Sequence, residues 1–150
     1  MTDKAKQAKD LFESGYNCAQ AVAGAWADEM GLPLETVLLL ASPFGGGMGR
    51  MREVCGAVPG MLMAAGMLCG FNETNDTTGK EKIYALTQKL ADKFRAENGS
   101  IICRELLRGC EVKPGTAPEE RSAAYYEYRP CAGLVASAAG ILEAELNMAI

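Results

Sequence analysis

The chain carries six cysteines and no histidine, and those two counts set the chemistry open to it. Without imidazole there is no histidine base for a serine or cysteine hydrolase, no histidine-ligated zinc and no C-x-x-C-H haem attachment, so haem is not expected. Sulfur and carboxylates remain. Four cysteines share a setting, the start of a helix. Cys18 follows the good cap Asn17, Cys131 follows Pro130, and Cys103 lies in the first turn after Ser100. Cys55 joins them because the ring of Pro59 clashes with the carbonyl four residues back, so that helix begins only around Cys55 to Pro59. Unpaired backbone N–H groups and the positive end of the dipole favour anionic sulfur and lower a thiol's pKa, and the thiolate is the form that binds metal. Cys69 falls at a helix C-terminus and Cys110 follows the helix-ending Gly109, so both are poorer candidates. The redox or metal-ligating candidates are Cys18, Cys55, Cys103 and Cys131.

Small residues accompany these thiols. Gly56, Ala57 and Gly60 follow Cys55, and Ala132 and Gly133 follow Cys131. Such positions let backbone approach a cofactor closely, which makes Gly56, Ala57 and Gly60 candidate cofactor contacts. The competing account is packing, since unpaired cysteine is among the most buried residue types and glycine or alanine lets helices pack tightly. No C-x-x-C pair is present, which disfavours thioredoxin-like exchange and compact zinc ribbons and leaves a site assembled from distant segments.

The elements that must position the thiols read as all-α, a compact multi-helix bundle with a glycine-rich loop before its central helix, because no stretch sustains a two-residue alternation. From the cap Thr2, a first helix puts Ala5, Ala8, Leu11 and Phe12 on one stripe and ends at Gly15. A second starts at Asn17, carries Cys18, Ala21, Val22, Ala25 and Trp26 on one face and stops at Gly31. Pro33 opens a short apolar helix through Leu40. SPFGGGMGR, residues 42–50, reads as loop, because three adjacent glycines resist helix. A Met-rich apolar helix follows to about Cys69, its lack of charge predicting burial on most sides. After the NETNDTTG turn cluster, Ile83, Leu86, Leu90 and Phe94 mark a long amphipathic helix ending near Gly99. Ser100 caps a short helix, IICRELLR, and EVKPGTAP is irregular. Pro118 starts a helix through YYEY, and Pro130 starts the last, with Leu134, Ala138, Ile141 and Leu142 on one face. No repeat or boundary divides residues 1–150, which read as one domain.

A chain of 150 residues that is 49% hydrophobic can bury roughly two-thirds of its unfolded surface in one core, so disulfides are not required for folding. A net charge of −4 and a pI near 4.9 argue against nucleic-acid binding. The opening MTDKAKQAKD lacks the apolar run of a signal peptide, and no stretch is long enough for a membrane span, so the expected setting is soluble and cytoplasmic. In that reducing compartment cysteines stay thiols, which favours metal or redox chemistry over a structural disulfide framework.

Taken in order, GYNCAQAV, GGGMGRMREVCGAVPG, CRELL and CAGLV place single cysteines at 18, 55, 103 and 131, with CGAxxG at the second. Over nearly its whole length the chain thereby resembles the C_GCAxxG_C_C family of redox-active proteins, with Cys69 and Cys110 as extras. The resemblance implies a redox or metal role. Similar sequence occurs in split-Soret cytochromes beside iron–sulfur chemistry, and by that analogy an iron–sulfur cluster held by Cys18, Cys55, Cys103 and Cys131 is the leading expectation, serving electron transfer or redox sensing with an unidentified redox partner. Two alternatives stay open: a thiol–disulfide switch or oxidoreductase pairing Cys55 with Cys18 or Cys131, and a structural zinc-binding or interaction module. Whether the protein is an enzyme is left open.

Other features point to less. The GGGMGR loop with Arg50 and Arg52 lacks the lysine and preceding strand of a phosphate-binding loop and reads as a hinge or close-contact loop rather than an anion nest. Met48, Met51, Met61, Met63 and Met67 read as gap-fillers rather than copper ligands. Tyr125, Tyr126 and Tyr128 read as a half-buried helix face or a homodimer contact.

Overall fold

The computed structural model describes residues 1–148 of the chain. Among these the architecture is all-α, nine helices and no strand. Helix α1 (Asp3–Glu13) starts where Thr2 Oγ accepts the Ala5 N–H at 3.2 Å, and it buries the stripe Ala5, Ala8 and Phe12. Helix α2 (Cys18–Ala25) begins with a reciprocal cap: Asn17 accepts from the Gln20 N–H while the Gln20 side chain accepts from the Asn17 N–H. Six of its eight residues are buried, so α2 runs through the centre of the bundle against α1, α4, α5 and α9.

The single helix expected from Asn17 to Gly31 is broken at Trp26, after which α3 (Ala27–Met30) ends at a left-handed Gly31. Lys4 explains the break. Its ammonium takes the Ala25 carbonyl at 2.9 Å and sits 5.0 Å above the Trp26 ring, competing for an acceptor that a continuous helix needs. Helix α4 (Leu34–Ala41) buries only Val37 and Ala41 and leaves Leu34, Leu39 and Leu40 exposed. A 3-10 turn over Ser42–Phe44 then leads into turns through residues 45–50.

Helix α5 (Ala57–Cys69) packs on α2 and α9. Burial on most sides holds only for its first half, since Met67, Leu68 and Cys69 are exposed. Its approach to α2 depends on Gly60: a Cβ there would lie 2.7 Å from the Ala19 carbonyl oxygen. Helix α6 (Thr77–Asn98) is capped by Asp76, closed by left-handed Gly99, and buries Leu90 and Phe94. Lys89 and Lys93 both meet Glu145 on the last helix at 2.6 Å.

Two expected helix starts lie elsewhere. Helix α7 spans only Cys103–Leu106, not IICRELLR, because the chain before it forms an antiparallel bridge between Val54 and Ile102. Helix α8 (Ala123–Tyr128) starts from Ser122, whose Oγ accepts the Tyr125 N–H, rather than from Pro118. Proline offers no such side-chain acceptor, and the residues between remain irregular. Helix α9 (Cys131–Met148) begins at the cysteine after Pro130 and buries Leu134, Ala138, Ile141 and Leu142 as its pattern predicts. No helix is long and apolar enough to cross a membrane among the described residues.

Candidate functional site: a four-thiol cavity

Cys18 and Cys131 are the first residues of α2 and α9, two helices that pack together. The Cys18 thiol lies within hydrogen-bonding reach of both Cys131 and Cys55. The other two thiols are aligned by the bridge. The Cys55 N–H donates to the Ile101 carbonyl at 2.8 Å, and the Cys103 N–H donates to the Glu53 carbonyl at 2.6 Å. Val54 and Ile102 form the bridge itself, and in extended chain the residues next to such a pair point to the opposite face. Cys55 and Cys103 therefore share a face.

All four cysteines line one cavity of about 430 Å³. Cys55, Cys103 and Cys131 are buried and Cys18 is half-buried, and all are free thiols. Of the two extra cysteines, Cys69 is exposed at the end of α5, and Cys110 donates to the Tyr128 carbonyl at 3.5 Å. Neither lines the cavity.

The glycine-rich segment forms one wall, and it winds with left-handed backbone. Gly46, Gly47, Met48, Gly49 and Arg50 have φ between +58° and +71°, and Arg52 has +61°. Gly47 has to be glycine, because a Cβ would sit 2.6 Å from the Cβ of Cys103. Three amides of this loop are spent on carbonyls, with Met48 donating to Phe44, Gly49 to Pro43 and Arg50 to Gly45. Of the small residues after Cys55, Gly56 lines the cavity, yet the Cβ it lacks would strike the Phe44 carbonyl at 2.6 Å. Ala57 is fully buried, and Gly60 makes room for α2; neither lines the cavity.

Cys18, Cys103 and Cys131 are weaker acids than their helix positions suggest. For Cys131, the hydrogen bond with Cys18, burial and the charge of a Cys18 thiolate push the pKa up against the opposing pull of Arg129 and Tyr125. For Cys18, the bond with Cys131 acts downward, but the bond with Cys55, burial and the neighbouring thiols outweigh it, and the pKa is raised. Burial likewise raises Cys103, although Arg52, donating to its sulfur at 3.8 Å, pulls the other way. Helix-end fields favour thiolate, but desolvation and like-charge neighbours win inside this cavity.

Sequence reasoning missed the polar half of the site. Arg50, Arg52, Arg121 and Arg129 line the cavity, and among the described residues Glu119 is the only carboxylate that does. Arg50 reaches across to the irregular stretch 111–122, donating to the carbonyls of Gly115 (2.7 Å), Lys113 (2.9 Å) and Ala117. Glu119 then receives Arg50 at 3.1 Å, Arg52 at 3.4 Å and Arg129. Burial acts to raise the pKa of Glu119, but the Lys113 N–H and the three guanidiniums hold it below its ordinary value. Arg121 donates to the carbonyls of Phe12 and Tyr16 and lies 4.0 Å over the Phe12 ring. Tyr125 belongs here too: burial first, then Cys131 and Cys18, raise its phenol pKa. It contributes to the wall of the thiol cavity, beyond the helix-face role expected of it.

Among the described residues, no three cysteine or carboxylate groups stand together as a ready grip for a single metal ion. Comparison with curated proteins and with solved structures gave no significant match. The family model described as "Putative redox-active protein (C_GCAxxG_C_C)" matches residues 16–145, a span that contains all four cavity cysteines. With most of its length so matched, the chain belongs to the C_GCAxxG_C_C family of redox-active proteins.

Proposed function

We propose that Cys18, Cys55, Cys103 and Cys131 form one redox centre that takes up an iron–sulfur cluster and serves electron transfer or redox sensing. The observation that carries this reading is the shared cavity: four thiols from four separate segments line it together with four arginines. Four cysteine thiolates are the usual donor set of such clusters, and guanidiniums offset the negative charge the thiolates bring. When bound, the cluster supplies one-electron chemistry. The protein's own part is to hold the sulfurs, to donate from Arg52 to the Cys103 sulfur, and to keep water out with Phe12, Tyr125 and Leu134, which also line the cavity. A single zinc ion fits the donors less well, because it asks its ligands to meet about 2.3 Å from one point, and no group of three does so among the described residues.

Anaerobic reconstitution with iron and sulfide tests the proposal. The expected result is charge-transfer absorption with iron and sulfide in stoichiometric amounts, abolished by Cys55→Ser; a colourless product under the same conditions overturns it. A second reading, a thiol–disulfide pair, is favoured by the hydrogen-bonding contact between Cys18 and Cys131. Thiol titration before and after mild oxidation separates the two, since the second reading requires the reversible loss of two thiols.

A further inference from the structure

With its cysteines as neutral thiols, the cavity holds more guanidiniums than carboxylates. Three guanidiniums converge on the single carboxylate of Glu119, with Arg50, Arg52 and Arg129 side chains only 14%, 16% and 7% exposed. Arg121 adds a fourth cation to the lining, and no second acid joins it among the described residues. Beyond that carboxylate the guanidiniums meet neutral groups, with Arg50, Arg121 and Arg129 donating to backbone carbonyls and Arg129 lying 5.0 Å over the Tyr125 ring, so a net positive charge is left for an anion to answer. The chain as a whole is acidic, at −4, which makes the local surplus a departure from the rest of the surface.

Backbone strain points the same way. Arg50 and Arg52 both adopt left-handed φ, +62° and +61°, a conformation that costs roughly 1–2 kcal/mol for a residue with a Cβ. Strain of this kind survives where the surrounding structure fixes it for a purpose, and here it brings Arg50 and Arg52 onto one carboxylate oxygen, Glu119 Oε1, while Arg129 takes the other. Glu119 itself sits on an irregular strap, residues 111–122, attached to the loop through Arg50.

We propose that the cavity binds a small oxyanion between Arg52 and Arg129, beside Cys103 and Cys131, and that the Glu119 carboxylate is the internal occupant which the anion displaces. A guanidinium fork matches any group with two coplanar oxygens, so phosphate, sulfur oxyanions and short carboxylates share the chemistry that the site recognises. The site stands on the arginines and the strap, whether or not the thiols carry a cluster.

Calorimetric titration of the full-length, reduced chain with inorganic phosphate at constant ionic strength tests it. Saturable binding is expected, tightened about tenfold or more by Glu119→Gln and weakened about tenfold or more by Arg52→Gln and Arg129→Gln. Should Arg129→Gln fail to fold, Arg52→Lys, which keeps the charge and loses the fork, carries the same comparison. Hydrogen exchange of residues 111–122 is expected to speed up severalfold on saturation with phosphate as the strap lets go. Absence of saturable binding in both the parent chain and Glu119→Gln, affinity unmoved by the arginine variants, or unchanged exchange in the strap overturns the proposal. Sulfate and acetate, run in parallel, tell tetrahedral from planar oxyanions. None of these readouts involves iron, so they and the reconstitution experiment can fail independently.

Discussion

Cys18 and Cys131 stand thiol against thiol at the first positions of two packed helices, α2 and α9, although they come from opposite ends of the chain. Their hydrogen bond eases ionisation of Cys18 and opposes that of Cys131, so the second proton of the pair is the harder to remove.

That contact makes Cys18 and Cys131 the pair expected to join when the cavity is oxidised. Mild treatment of the reduced, metal-free chain with diamide is expected to consume two thiols and to give one cross-linked peptide pair containing Cys18 and Cys131. Cys131→Ser abolishes that product. A linkage confined to exposed Cys69 would refute the assignment.

The raised thiols also give stability a pH dependence of fixed sign. Cys18, Cys103 and Cys131 all lie above the ordinary 9.0, so above that value the native state binds more protons than the unfolded chain. Their contribution is complete below about pH 9 and is lost as pH rises through the native values. Melting temperature is expected to fall between about pH 8 and about pH 10.5, and less steeply in a Cys18→Ala, Cys131→Ala double variant. Tyr125 acts in the same direction, so Tyr125→Phe flattens the upper part of that range.

Two glycines of α5 separate packing from propensity. Gly60→Ala drives a methyl toward the Ala19 carbonyl and is expected to destabilise by about 1–3 kcal/mol. Gly66→Ala meets nothing within 4 Å and is expected to stabilise by roughly 0.5–1 kcal/mol through the unfolded state. Urea unfolding measures both, and equal effects would contradict the packing of α5 on α2.

Arg50 fastens the strap with hydrogen bonds to three carbonyls and an ion pair to Glu119. Arg50→Gln is expected to raise proteolytic cleavage and amide exchange across residues 111–122 severalfold while leaving α2 and α9 protected. Uniform loss of protection would show that Arg50 supports the whole fold.

What the sequence discloses is mostly local. Thr2, Asn17, Gly31 and Gly99 mark helix ends through interactions a few residues long, so α1, α6 and α9 can be read directly, as can the places of Cys18 and Cys131. The Val54–Ile102 bridge leaves no such trace, because one residue pair makes no alternating pattern, and it decides where α7 begins. Glu119 and its arginines are equally hidden: scattered charges in and around a proline-bearing loop look solvated until folding brings Arg50, Arg52 and Arg129 onto one carboxylate. The acidity of the thiols is misread for a related reason. A helix start is visible in sequence, whereas the desolvation that overrides it belongs to the folded cavity.

The run from Gly46 to Arg50 turns with the hand opposite to every helix around it. The mirror-image twist cannot join a helix on either side, and so this wall of the thiol cavity is shaped by chirality rather than by bulk.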